Sequence, residues 1–382
     1  MKIFFTLWLL LLCFLVKSAT ITISGSGNWS STTPNAPWPG GILPNPGDDI
    51  VISGGRTLSV DGNYTCNSIT IGSSAATSNT LTVNSGFTLT VSNTITIVPP
   101  ITSANTNLLD AGNGFVNCNG LNSTNSGNNN RVCAISINTG TLNVNGNISL
   151  GATALRNSVT FLGTGLLRVT GTYIGGGTYT NTNGTIEYAG TNQTLNSAIT
   201  NYYNLSLSNS GTKTASATFT VNGNLSVSGT TQLDMISTPY NIQINGNWQI
   251  TSSNADPFIE QTSRVTFGGT LNSQSISTPL TSGETFYNAT INNSFGTSPQ
   301  LSINKNLNIT NDIDWTAGAL NLSGNNLIIT GGSATSALSN GTIMTTVPGS
   351  SITITDPTDT YTVDFNNFTV GTNFMYIQLS EV

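Results

Sequence analysis

The sequence predicts an all-β protein, a right-handed parallel β-helix (β-solenoid) with an N-terminal cap, and three observations carry that expectation. The first is composition. Charged residues make up only 6% of the 382, against about 25% in ordinary globular chains, and roughly half of the residues are Asn, Thr, Ser or Gly. Hydrophobic residues still reach 37%, so this is not the highly charged, weakly hydrophobic signature of a disordered chain. Helix-favouring Glu, Lys and Arg are scarce, whereas Thr, Val and Ile suit strands and Asn-Gly suits corners. The second is alternation: in residues 79–97, Leu81, Val83, Leu89, Val91, Ile95 and Ile97 share one face.

The third observation is a recurring phrase. "TFTVNGNLSV" (residues 218–227) has close copies in "LNVNGNISL" (142–150), "IQINGNWQI" (242–250) and "LSINKNLNI" (301–309), and looser ones in "LSVDGNYTC" (58–66) and "LNLSGNNLII" (320–329). From Val60 it returns after 84, 77, 23, 59 and 19 residues, spacings compatible with a coil of about 20 residues, the lower end of solenoid repeats. In a coil that must turn corners, Gly takes backbone angles closed to other residues. Asn tolerates the left-handed region, and Asn stacked on Asn can continue a hydrogen-bond ladder. Val221, Leu225 and Val227 then face inward, and Lys305 stands in the Gly slot of one copy. The alternative is a set of tandem antiparallel β-sandwiches, because Asn-Gly between alternating apolar residues is also a hairpin signal.

Taken in order, the chain opens with an export signal over residues 1–19. Lys2 precedes the 13-residue apolar run "FFTLWLLLLCFLV", and Ser18 and Ala19 are small enough for cleavage. That run is shorter than the roughly 20 residues of a membrane span, and no second run of spanning length follows. Residues 20–60, rich in Pro and Trp, read as an N-terminal cap in which Trp29 and Trp38 plug the open core. Residues 61–340 carry the solenoid repeats. Residues 341–382 form a C-terminal β segment that stops at "FMYIQLSEV" as if cut inside a fold, so the natural product is expected to continue.

Without the leader, 7 basic side chains face 15 acidic ones, a net charge of −8. With Lys213 and Lys305 the only lysines left, the chain lacks the clustered cations that nucleic acid requires. Cys66, Cys118 and Cys133 remain. Either Cys118 and Cys133 close the Asn-rich loop between them, or all three are buried free thiols.

The segment "TNTNGTIEYAGTNQTLNSAITNYYNLSLSNSGTKTASATFTVNGNLSVSGTTQLDM" resembles a repeat of large secreted surface proteins of Bacteroidetes, and "GNWSSTTPNAPWPGG" with "PNPGDDIVISGGRTLSVDGN" resembles their lead segment. The likeness spans residues from about 24 to 335. It implies export to the outer surface or the medium by type IX secretion, and an adhesin-like role. The sorting domain typical of such proteins is not recognisable in this chain.

Candidate chemistry is sparse. Without His, neither a His-based triad nor a His-ligated zinc site exists. Asp48 and Asp49 follow Pro46-Gly47 and read as turn residues; Asp312 and Asp314 flank Ile313 and share a strand face. Asp256, Glu260 and Arg264 interrupt the repeat in "NADPFIEQTSR" and are the candidate catalytic set, since β-helix enzymes acting on acidic polysaccharides combine carboxylate-held calcium with a basic residue. The bland counterpart is a charged loop with a surface ion pair. Asp356, Asp359 and Asp364 are candidate calcium ligands, being closely spaced hard oxygen donors, set against an ordinary solvated turn. Asn-x-Ser/Thr sites such as Asn63, Asn147 and Asn224 follow from composition alone. The leading expectation is a secreted or surface-displayed, non-enzymatic structural or adhesion protein. Its expected partner is an extracellular glycan or cell-surface component, with "NYYN" (201–204) and "GNWQI" (246–250) as glycan contacts or, on the packing alternative, as part of the coil. The rival from another class is a β-helix polysaccharide lyase or hydrolase; a third is a pure stalk with no ligand.

Overall fold

A computed structural model describes residues 18–73, 76–102, 104–124, 130–238, 240–330, 342–345, 349–355 and 360–364. The export signal therefore lies outside the described residues, apart from Ser18 and Ala19. So do Asp356 and Asp359; Asp364 is described only as backbone. The chain is a β-solenoid. Every strand pairing among the described residues is parallel except one, the closing pair Ser351–Thr355 with Thr360–Asp364. Hairpin-built sandwiches require antiparallel neighbours, so the alternative fold is excluded. Among the described residues no helix is long and apolar enough to cross a membrane.

Register shows how the coils stack. Leu89 pairs with Val116, Val116 with Leu142, Leu142 with Leu167, and Leu167 with Ile186. The column continues through Leu205, Leu225, Trp248, Ile276 and Ile303. All of these side chains are buried, because alternation sends every second residue inward. Coil length is not uniform. Leu167 and Ile186 are 19 residues apart, Val116 and Leu142 are 26, and Trp248 and Ile276 are 28. The unit near 20 holds for the central coils, and the longer coils carry their extra residues at corners.

The recurring phrase does mark corners, but not one corner. In residues 218–227 and 242–250 it joins the nine-stranded sheet to the seventeen-stranded one; in 301–309 and 320–329 it leads back the other way. In 142–150 it lies within the single strand Thr141–Ser149. Gly324 of the looser copy in 320–329 takes the expected left-handed angle, at φ 84°, but the glycines of the close copies do a different job. Gly146, Gly223 and Gly246 do not adopt positive φ. They are needed because the coil beneath is too close: an added Cβ would lie 2.0 Å from the Asn119 carbonyl oxygen, 2.4 Å from Asn204 Oδ1 and 2.3 Å from the Gly223 oxygen, respectively.

The asparagines form ladders, with side-chain carbonyls reaching backbone amides rather than only one another. Asn204 Oδ1 accepts the Asn224 N–H at 2.9 Å, Asn224 Oδ1 accepts that of Asn247 at 2.9 Å, and Asn247 Oδ1 accepts that of Ser275 at 2.8 Å. A second ladder runs from Asn306 to Asn326 to Ser351. Each link satisfies a corner amide that the strand ladder leaves without a partner.

At the N-terminal end, Thr20–Thr22 already pairs with Asp49–Ile52. Trp29 and Trp38 are buried, their rings edge to face at 5.1 Å, and Trp29 stacks on Tyr64. Trp38 Nε1 donates to the Trp29 carbonyl at 2.7 Å, so the indole polar atom is satisfied in the core. Cys66, Cys118 and Cys133 are all buried free thiols. Cys118 and Cys133 lie in different sheets, so the disulfide alternative is not realised. Burial pushes each thiol up to about 12.

Candidate functional site

The three residues of the candidate catalytic set part company. Arg264 begins the strand Arg264–Gly269, whose register places it beside Asn288 and, one coil further, Asp312. Its guanidinium crosses both coils. Nη2 meets Asp312 Oδ2 and Nη1 meets Asp314 Oδ2, each at 2.5 Å, while Nη1 also donates to the Ala289 carbonyl and the Thr290 hydroxyl. Asp312 and Asp314 do share the outer face about buried Ile313. A guanidinium held by two carboxylates is a clamp between coils and is poorly suited to act as a base.

Asp256 is exposed and Glu260 half-buried; neither forms an ion pair with Arg264 among the described residues. Burial raises both carboxyls, and the Asp256 charge adds to the shift at Glu260. The Glu260 charge acts on an acidic residue that sequence reasoning missed. Glu284 is buried among Trp248, Phe258 and Phe286 at the core, and burial, with a smaller contribution from the Glu260 charge, pushes its carboxyl up to about 8. Glu284 Oε2 and Trp248 Nε1 both lack a hydrogen-bond partner. The signal was present: Glu284 is in phase with inward-facing Phe286 in "ETFYNATI". At 2% exposure it is out of reach of a substrate.

Lys213 is another buried ionisable side chain. Its Nζ donates to the carbonyls of Gly190, Thr191 and Ser210 at 2.7, 3.0 and 2.8 Å, and burial lowers it to about 8. Asp48 and Asp49 tie the first coil together. Asp48 accepts the backbone amides of Ala19 and Asn45, and Asp49 accepts from Ser68 and Asn67, bonds that lower its carboxyl. Among the described residues no group of three acidic or thiol side chains is placed to hold a metal.

Of the proposed glycan contacts, Tyr202 and Trp248 are core residues. Tyr203, in the bend that follows the strand Asn201–Tyr202, is half-buried and turned to the outer surface. It opens a groove of about 630 Å³ whose floor is one outward column, Tyr203, Asn222, Asn245, Gly268 and Asn292, the residues that follow the paired core positions Tyr202, Val221, Ile244, Phe267 and Ile291 on successive coils. Gln243, beside Asn245, donates to its Oδ1 at 3.0 Å, and Asn245 donates to Asn222 Oδ1 at 2.9 Å. One wall is the turn containing Thr270, Leu271 and Asn272. It exists because eight residues separate inward-facing Phe267 from Ile276, where three separate Ile244 from Trp248. Two buried amides brace it. Gln274 donates to the carbonyls of Ile244 and Gly246, and Asn293 donates to Gln274 Oε1 and the Asn272 carbonyl.

Comparison of the chain with family models, with curated proteins and with solved structures finds no match. Function is accordingly read from the chain's own sequence and geometry.

Proposed function

We propose that this chain is a secreted or outer-surface, non-enzymatic structural and adhesion protein that holds extracellular glycan. The observation that carries the reading is the groove floored by Tyr203, Asn222, Asn245 and Asn292, in which no Asp, Glu, Lys or Arg takes part. Neutral amides, hydroxyls and an aromatic ring suit the many hydroxyls and apolar faces of a sugar. Stacked coils supply a stiff support with an extended lateral surface. The apolar leader with Lys2, and the likeness of residues from about 24 to 335 to surface proteins of Bacteroidetes, support display outside the cell. The Arg264 clamp supports binding over cleavage, since it commits the basic residue of the candidate catalytic set to Asp312 and Asp314.

The test mixes the full chain with soluble and insoluble polysaccharides, with and without calcium, and records both retained protein and new reducing ends. Retention without new ends is expected. New ends that disappear in Arg264→Ala would establish a lyase or hydrolase instead.

A further inference from the structure

Three features invite a ligand. The cavity of about 760 Å³ at Gln193 is larger than the groove, but its polar groups are largely spent within the chain. Gln193 bonds Val169, Gly171 and Gly190, Asn196 bonds Gly175 and Ala198, and Ser216 bonds the Leu195 carbonyl. In the acidic group of Asp256, Glu260 and Glu284, the buried oxygen without a partner, Glu284 Oε2, is sealed in the core. The groove at Tyr203 differs from both. The Tyr203 hydroxyl, the Asn292 amide and the side chains of Thr270 and Asn272 form no hydrogen bond with the described chain.

Resting on the adhesion reading, we propose that this groove is the glycan site, and that it takes an extended, uncharged polysaccharide lying along the solenoid axis with one sugar unit per coil. The column from Tyr203 to Asn292 crosses four strand spacings, about 19 Å at about 4.8 Å each. That rung spacing is close to the length of one pyranose unit in an extended chain, so the coil repeat and the ligand repeat run in register. Directional order is built in. Because Gln243 donates to Asn245 and Asn245 to Asn222, the ladder leaves an amide N–H free at Asn222 and a carbonyl free at Gln243. Tyr203 supplies the stacking face at one end. Its ring has room because Gly223 has no side chain: a Cβ there would lie 3.0 Å from Tyr203 Cε1. At the wall, Leu271 is 80% exposed and offers apolar contact.

The ligand class follows from what is missing. With no charged side chain in the lining, a polyanion gains no ion pair, and binding to a neutral chain is indifferent to screening by salt. The experiment uses the full chain with insoluble neutral polysaccharides (a β-glucan, a xylan and a mannan) and with polygalacturonate as the acidic counterpart. Wild type, Tyr203→Ala, Leu271→Asp and, on a remote outer face, Ser136→Ala are compared, with thermal unfolding as the check on folding. Expected are retention by at least one neutral polymer, unchanged up to high salt, a loss of about tenfold or more in Tyr203→Ala as for a truncated aromatic anchor, a comparable loss in Leu271→Asp, and no change in Ser136→Ala. Retention unaffected by Tyr203→Ala and Leu271→Asp would overturn the groove assignment and leave adhesion standing. Retention only by polygalacturonate would overturn the neutral-ligand assignment. Retention by none of the polymers would overturn the adhesion reading, and the groove assignment with it.

Discussion

Asn224 lies directly beneath Asn247 in the next coil, and its Oδ1 accepts the Asn247 backbone N–H at 2.9 Å. Both residues belong to Asn-Gly-Asn corners, and the same atom of Asn247 reaches Ser275 in turn. The corner amide is thus satisfied by a side chain supplied one coil earlier, which ties the sequence of each corner to that of its neighbour.

Asn224→Ala removes this acceptor and leaves the Asn247 amide without its partner. The expected cost is about 1–3 kcal/mol, the penalty for an unsatisfied polar group. Solenoids open locally between neighbouring coils, so the sharper readout is amide hydrogen exchange. Faster exchange at Asn247, with Leu89 and Val116 unaffected, is the expected pattern. An unchanged Asn247 rate would show that the ladder contributes nothing.

Gly246 tests the close approach between coils. A Cβ there would lie 2.3 Å from the Gly223 carbonyl oxygen, a backbone atom that cannot swing aside. Gly246→Ala is expected to lower stability by about 2 kcal/mol or more, within the range for overpacking. Gly296→Ala is the internal comparison: its Cβ meets nothing within 4 Å and its φ is not positive. There the change is expected to fall within about ±0.5 kcal/mol, as at an ordinary surface position. Equal thermal midpoints for the two variants would refute the account of these glycines.

Much of this was legible in the sequence, and the limits have physical causes. Alternation has period two, so inward residues such as Val221, Leu225 and Val227 could be assigned without knowing the fold. Tyr202 ends its strand in the core and Tyr203 lies in the bend that follows, in the groove, a corner that "NYYN" as a motif does not reveal. Which coil lies over which was not legible, because coil length varies between 19 and 31 residues. Arg264 and Asp312 are 48 residues apart and two coils distant, so no local pattern predicts their contact. The groove wall at Leu271 arises from an inserted turn whose consequence depends on the neighbouring coils.

The Arg264 clamp predicts a modest, salt-sensitive effect. Asp312, Asp314 and Arg264 keep 23%, 50% and 28% of their side-chain surface exposed, so solvent screens the attraction and the pair is worth about 1 kcal/mol or less per contact. Arg264→Ala is expected to lower the thermal midpoint slightly at low salt and less at high salt, with glycan retention unchanged. A large loss of retention would place Arg264 at the ligand and contradict the structural role.

Glu284 predicts a pH dependence with a definite sign. In the unfolded chain its carboxyl ionises near 4.5, whereas burial beside Trp248, with a smaller contribution from the Glu260 charge, keeps it protonated in the fold until about pH 8. Thr278 and the Thr285 backbone offer only partial compensation to the carboxylate. Between those two values the folded state binds one proton more than the unfolded state, so stability falls as pH rises through the window and levels off above it. Glu284→Gln keeps the shape and removes the titration. Its thermal midpoint should match that of the wild type near pH 4 and exceed it progressively towards pH 8, an advantage that Glu260→Gln reproduces only weakly because Glu260 is half-buried. Parallel curves for wild type and Glu284→Gln from pH 4 to 9 would mean that the carboxyl is solvated after all, and that the core at Trp248 opens to water.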